Sequence, residues 1–221
     1  EFRRVLFRSD KPADAGQVVG WKHADANVSG NTVGGTAVAD NVNVAVKVND
    51  MAGVLANAGK TILLNGGVYD FTADYLEPNT TLQAATGTQV VVNGNGNNLN
   101  FGTRESYGLG AKGKDTTFEI NDAKVTSAGG GLAATDGAKV TFNGESVDIS
   151  KYTNSSPARY NIYAATGGEI VINSGVFKFN STNNTRRSYV CVEDGGKVII
   201  NDGTFGKAST RSGYTGIRVL G

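Results

Sequence analysis

The 221-residue chain has one cysteine, one histidine, one methionine, one tryptophan and three prolines. A single Cys excludes a disulfide framework, and with a single His it excludes Cys/His zinc sites and any two-histidine relay. Scarce proline excludes collagen-like and polyproline chains. No apolar run approaches the roughly 18 residues of a membrane-spanning helix. Charge is nearly balanced, at a formal net +1. The first nine residues, EFRRVLFRS, read as a translated sequencing adapter and are set aside from fold reasoning, which makes Asp10 an arbitrary starting point. Without Glu1, Arg3, Arg4 and Arg8 the remainder carries −1, and composition offers no argument for a nucleic-acid partner.

What is abundant is glycine, asparagine and threonine, with 31, 22 and 21 copies. They recur in a repeat. Six segments align: GKTILLNGGVYDF from Gly59, GTQVVVNGNG from Gly87, DTTFEINDAKV from Asp115, GAKVTFNGESVDI from Gly137, GGEIVINSGVFKF from Gly167 and GGKVIINDGTF from Gly195. Each has a turn, an alternating β-branched run, an Asn, a second turn and a further apolar pair such as Val68 with Phe71 or Val176 with Phe179. The shared asparagines are Asn65, Asn93, Asn121, Asn143, Asn173 and Asn201, spaced by 28, 28, 22, 30 and 28 residues. A shorter alternating strand precedes each run, seen as Leu132 with Ala134, Ile162 with Ala164, Val190 with Val192 and Ile217 with Val219. Three short strands and three turns in about 28 residues make one coil of a parallel β-helix. A helical repeat is excluded because Gly interrupts every short β-branched run.

A coil cannot bury its inner face alone, so coils stack at about the 4.8 Å spacing of paired strands. The six asparagines then suit a ladder of stacked amides, or ordinary turn positions that tolerate a left-handed backbone. The doubled glycines at 167–168 and 195–196 read as turns needing positive φ.

These repeats resemble the pectin-lyase-like superfamily of right-handed parallel β-helices. Residues 49–71, NDMAGVLANAGKTILLNGGVYDF, resemble its opening, which implies a short capping helix with Asp50 as N-cap and Gly59 as stop. The repeat style is most similar to passenger regions of bacterial autotransporter adhesins. The resemblance covers residues 49–221, with the last repeat cut midway at an open strand edge. Residues 10–48 form an irregular N-terminal segment in which VNVAVKV, 42–48, is a candidate extra strand.

An enzyme of this superfamily would carry clustered carboxylates on an outer sheet. The acidic pair Glu193–Asp194 and the pair Asn121–Asp122 sit on turns without an acidic neighbour in the next coil, and His23 lies upstream of the coils. No catalytic residue and no metal ligand is assigned, and no cofactor is expected. One recurring feature is not required by the coil. Arg104 with Tyr107, Arg159 with Tyr160, Arg187 with Tyr189 and Arg211 with Tyr214 each precede the first strand of a repeat. Such a stripe suits acidic glycans, through ring stacking and bidentate Arg contacts; equally, it suits a tyrosine ladder covered by arginine. Charge divides along the chain, with net −4 over residues 10–100 and net +3 over residues 101–221.

The expected function is therefore binding: an extracellular or bacterial cell-surface β-helix whose partner is a polysaccharide or host-surface glycan. Neither nucleic acid nor membrane contact is expected for this segment, and its oligomeric state is open. Two alternatives stand beside it, a phage tail-spike or tail-fibre β-helix on the virion and a polysaccharide lyase or hydrolase with catalytic coils elsewhere. Fold alone does not choose among them.

Overall fold

The computed structural model describes residues 32–33, 36–37, 45–77, 80–101, 107–127, 129–149, 160–178, 188–206 and 215–220. Strands β1 (Thr32–Val33) and β2 (Thr36–Ala37) form an antiparallel pair. They are followed by β3 (Ala45–Val48), helix α1 (Met51–Ala56), β4 (Thr61–Leu64) and β5 (Gly67–Asp70). Strands then come in threes: β6 (Thr81–Ala84), β7 (Gln89–Asn93) and β8 (Asn98–Phe101), then β9 (Tyr107–Lys112), β10 (Thr117–Asn121) and β11 (Lys124–Ser127). The pattern repeats with β12 (Gly130–Thr135), β13 (Lys139–Asn143) and β14 (Ser146–Asp148), then β15 (Ile162–Ala165), β16 (Glu169–Ile172) and β17 (Val176–Lys178). Last come β18 (Ser188–Glu193), β19 (Lys197–Ile200), β20 (Thr204–Phe205) and β21 (Thr215–Leu220).

Each member of a triplet joins a different sheet. Sheet I has eight strands, in the order β3-β4-β6-β9-β12-β15-β18-β21; sheet II has six, β5-β7-β10-β13-β16-β19; sheet III has five, β8-β11-β14-β17-β20. Every pairing within these three sheets is parallel. The chain is thus an all-β parallel solenoid. From Asn93 to Asn201 it advances 108 residues in four coil steps, an average of 27 per coil.

Register follows from the inward columns. Leu82, Leu109, Leu132, Ile162, Val190 and Ile217 stand one above another in sheet I, and Val90, Phe118, Val140, Ile170 and Val198 do so in sheet II. Leu99, Val125, Val147, Phe177 and Phe205 form the column of sheet III. Apart from Ile217, which is exposed, these side chains meet in one apolar core, where each large aliphatic or aromatic residue contributes about 1.5–3 kcal/mol on burial. A one-residue slip would turn every column outward, so the alternation in sequence dictates the pairing.

Helix α1 is capped by the Asp50 carboxylate, which accepts from the Gly53 N–H at 2.7 Å, and it brings Val54 into the core. It ends at Ala56 with Asn57 as C-cap, short of the expected Gly59. Gly59 instead donates its N–H to Thr80 Oγ1.

The repeat beginning at Gly59 is out of step with the other five. Its run Thr61–Leu64 pairs with β3 and β6 in sheet I, and sheet II begins one strand later, with β5. GKTILLN and GTQVVVN share the same local pattern, and local pattern does not say which sheet receives the strand. Val68, expected in the third strand, therefore lies in sheet II and is 60% exposed. Near residue 176 the inward residue is Phe177, while Val176 is exposed and Phe179 lies outside the described residues.

The turn from sheet I to sheet II explains the doubled glycines. Thr166 and Gly167 have φ of 50° and 72°, and Asp194 and Gly195 have 47° and 70°. The second glycine of each pair serves another need. A Cβ on Gly168 would lie 2.2 Å from the Ala134 carbonyl oxygen, and on Gly196 2.4 Å from that of Ala164. Two adjacent substitutions therefore fail for different reasons. Gly167→Ala, with nothing nearer than 4.0 Å, is expected to lose about 1 kcal/mol through left-handed strain alone. Gly168→Ala, which must push coils apart, should lose more, in the upper part of the roughly 1–3 kcal/mol range of overpacking. Urea denaturation of the two variants decides the order.

Candidate functional site

The outward face of sheet I carries a second buried cluster: Tyr107, Ala133, Tyr160, Tyr163, Ala165 and Cys191. Tyr163, Cys191 and Arg218 share one register position, the odd residue between the inward pairs of β15, β18 and β21. Small neighbours make space for the rings. Gly130 is paired with Tyr107, and a Cβ there would sit 2.1 Å from the Tyr107 ring. Tyr163 then stacks between two partners, with ring centroids 5.4 Å from Tyr107 and 5.9 Å from Tyr160, at interplanar angles of 9° and 14°. Such offset stacks add about 0.5–1.5 kcal/mol per pair beyond area burial.

Polar groups close this cluster toward the C-terminal coils. Glu193 accepts from the Tyr163 hydroxyl at 2.9 Å and from the Cys191 thiol at 3.4 Å. Arg218 donates to the Tyr160 hydroxyl at 3.4 Å, across 58 residues of sequence. Burial is the main force on the titrating groups. It pushes the Cys191 thiol up to about 12, with the nearby Glu193 charge adding to the rise and the Tyr160 hydrogen bond opposing it. The Tyr160 and Tyr163 hydroxyls are also raised, first by burial, then by the charge or hydrogen bond of Cys191 and Glu193 respectively. A thiol held protonated is a poor nucleophile at neutral pH.

The residues singled out from sequence are distributed as follows. Arg104, Arg159, Arg187, Arg211 and Tyr214 lie outside the described residues. Tyr107 and Tyr160 are buried, at 0% and 2% exposure, with their rings engaged in the stack. Tyr189 belongs to the inner core instead, edge-on to Phe205 at 5.8 Å and 81°. The four arginine-bearing stretches share one topological position. Each connects a sheet III strand, β8, β14, β17 or β20, to the next sheet I strand, β9, β15, β18 or β21. Tyr163 and Arg218 were not singled out from sequence, and Glu193 was named there only as a turn pair with Asp194, although the alternation flanking each of them already implied an outward position.

Sheet II presents a different outer surface. Asn201 Nδ2 donates to Asn173 Oδ1 at 2.7 Å, Asn173 to Asn143 at 2.7 Å, Asn143 to Asn121 at 2.8 Å and Asn121 to Asn93 at 3.1 Å. The row ends on a carboxylate, since Asn93 Nδ2 donates to Asp70 Oδ1 at 2.7 Å. Asn65 is not a member. It donates to Asn49 at 2.6 Å, and Asp70 takes its place because β5, not β4, opens sheet II. A carboxylate can only accept here, so Asp70 forces every amide to point its Nδ2 toward the N-terminal end. Four residues earlier on the same strands, Glu169 bridges Lys139 and Lys197, each at 3.0 Å, and these two lysines hold its carboxyl below the usual range.

Among the described residues, no group of three His, Cys, Asp or Glu side chains is placed to hold a metal ion. Among them, too, no helix is long and apolar enough to cross a membrane. Comparison with known proteins found no matching family model, no matching curated protein and no matching solved structure.

Two predictions follow from the two outer faces. Because the native pKa of Cys191 lies above its ordinary value near 9, the folded state holds this proton more tightly than the unfolded state. That contribution is complete below pH 9 and is lost as pH rises toward 12, by about 1.4 kcal/mol per pH unit at most. The urea midpoint should fall between pH 8.5 and 10 (roughly, a span bracketing the thiol's ordinary pKa), and Cys191→Ala should flatten that fall; a thiol reagent should label the native protein only as fast as it unfolds. In the ladder, Asn143→Asp opposes two acceptors and should lose about 1–3 kcal/mol. Asp70→Asn keeps an acceptor beneath Asn93 and should stay within about 0.5 kcal/mol of the parent by the same denaturation assay.

Proposed function

We propose that this chain is a stretch of an extracellular bacterial surface β-helix, pectin-lyase-like in superfamily and of the autotransporter-passenger or adhesin type, that binds acidic glycans. The observation that carries this reading is topological. Four arginine-bearing connections, including Arg104, Arg159, Arg187 and Arg211, join sheet III to sheet I in different coils and so belong to one corner of the solenoid. Guanidinium groups repeated along a rigid axis match the repeating carboxylates or sulfates of an acidic polysaccharide, and their individual contacts add through multivalency.

The chemistry of the remainder supports the same role. A protonated, buried Cys191 is protected from oxidation outside the cell. The tyrosines serve as the packed base of this corner, since Tyr107 and Tyr160 are buried, and the arginines supply the recognition. The protein acts without a cofactor in this reading.

The test is binding of the 221-residue protein to alginate, heparin and a neutral glucan by biolayer interferometry. Binding to the acidic polymers alone is expected, with at least a tenfold loss in the Arg187→Ala/Arg211→Ala double variant and a strong decline with added salt. Absence of binding by the parent, or binding unchanged in the double variant, removes the glycan-binding role.

A further inference from the structure

Four asparagines of the chain directly precede glycine: Asn65, Asn93, Asn95 and Asn143. Such pairs are where a polypeptide most readily modifies itself, because glycine has no Cβ to shield its backbone nitrogen from the preceding side chain. The reaction needs two freedoms. The glycine N–H must not be held by a hydrogen bond, and the asparagine amide must be able to turn its carbon toward that nitrogen.

The fold removes one or both freedoms at three of the four positions. At Asn93 both are lost: the Gly94 N–H donates to the Asn121 carbonyl oxygen at 2.8 Å, while the Asn93 amide donates to Asp70 at 2.7 Å and accepts from Asn121 at 3.1 Å. At Asn95 the nitrogen is held, since the Gly96 N–H donates to the Asp122 carbonyl oxygen at 2.8 Å. At Asn143 the side chain is held, donating to Asn121 at 2.8 Å and accepting from Asn173 at 2.7 Å, and Gly144 is buried against the Phe142 ring. Asn65 stands outside the ladder and keeps both. Its amide makes one bond among the described residues, to Asn49 at the surface, and its Oδ1 and the Gly66 N–H have no partner among them.

We propose that Asn65 is a site of spontaneous deamidation, and that the asparagine ladder protects Asn93 and Asn143 from the same reaction. The Gly66 nitrogen gives up its proton to hydroxide and attacks Asn65 Cγ. A new C–N bond closes a cyclic imide, and Nδ2 leaves as ammonia. Water then opens the imide at either carbonyl, which yields aspartate or isoaspartate and one negative charge. The change is felt locally. A carboxylate at this position can no longer donate to Asn49 Oδ1 and opposes it instead, and isoaspartate lengthens the connection that carries the chain from β4 in sheet I to β5 in sheet II. The repeat that falls out of step is thereby the one exposed to chemical ageing.

The experiment ages the 221-residue protein in mildly alkaline buffer, native and in urea, and follows amide-to-acid conversion at each asparagine by pepsin digestion and tandem mass spectrometry. In the native protein Asn65 is expected to convert at least tenfold faster than Asn93, Asn95 or Asn143. In urea, where every glycine N–H is released, the four rates should agree within severalfold. Asn121→Ala removes the side chain that holds both Asn93 and Asn143 but leaves its carbonyl on the Gly94 N–H, so it should speed Asn143 severalfold while Asn93 stays slow. Native conversion of Asn65 no faster than that of the ladder asparagines, or more than tenfold slower than in urea, overturns the site. An unchanged Asn143 in Asn121→Ala, or an equal rise at Asn93 and Asn143, overturns protection by the ladder bonds.

Discussion

Parallel stacking in strict register is the constraint on which this molecule depends. A single coil has an inner face of two or three apolar side chains per strand and no partner for its backbone N–H and C=O groups. Both deficits are met only by the coil above and the coil below. Side chains at one register position must therefore fill the same section of core, as the column Leu82, Leu109, Leu132, Ile162 and Val190 does. Where backbones come closest, at Gly168 and Gly196, no Cβ fits.

The same stacking gives the solenoid a direction. An amide ladder has two possible orientations of equal internal energy, and a terminal carboxylate removes the choice. Asp70 accepts from Asn93, and each successive asparagine must then donate backward. A local charge at one end thereby sets hydrogen-bond polarity along the whole of sheet II, much as backbone amides set the polarity of a helix.

The outer faces differ because their side chains differ in size and polarity. Sheet II exposes amides and a Lys139–Glu169–Lys197 bridge, worth little individually in solvent. Sheet I instead buries stacked tyrosines outside the core proper, and Glu193 and Arg218 satisfy the hydroxyls of Tyr163 and Tyr160. This second cluster ties β9, β15, β18 and β21 together beyond their ladder bonds.

Much of this was legible from the repeat. The strand alternation, the turn glycines, the Asp50 cap and the stacking of Asn93 through Asn201 are periodic or local features, and periodicity in sequence becomes proximity in a solenoid. The first repeat was misplaced because Asn65 and Asp70 are both plausible ends for a strand, and only the pairing of β5 with β7 distinguishes them. The cluster of Tyr107, Tyr160, Tyr163, Cys191, Glu193 and Arg218 was divided among four coils, with Tyr189 wrongly grouped beside Tyr107 and Tyr160 on the strength of a shared neighbour. Tyr160 stands two residues before Ile162 and Tyr189 one residue before its partner Val190, and Tyr160 joins the outer cluster while Tyr189 packs on the inner core. By itself, then, the sequence determined the coil, its period and the inward residues of the two longer strands of each coil, because these depend on alternation that any one strand displays. The tertiary structure alone decided which sheet each strand joins, which way the ladder points and which tyrosines are buried, because each of these depends on a partner tens of residues away.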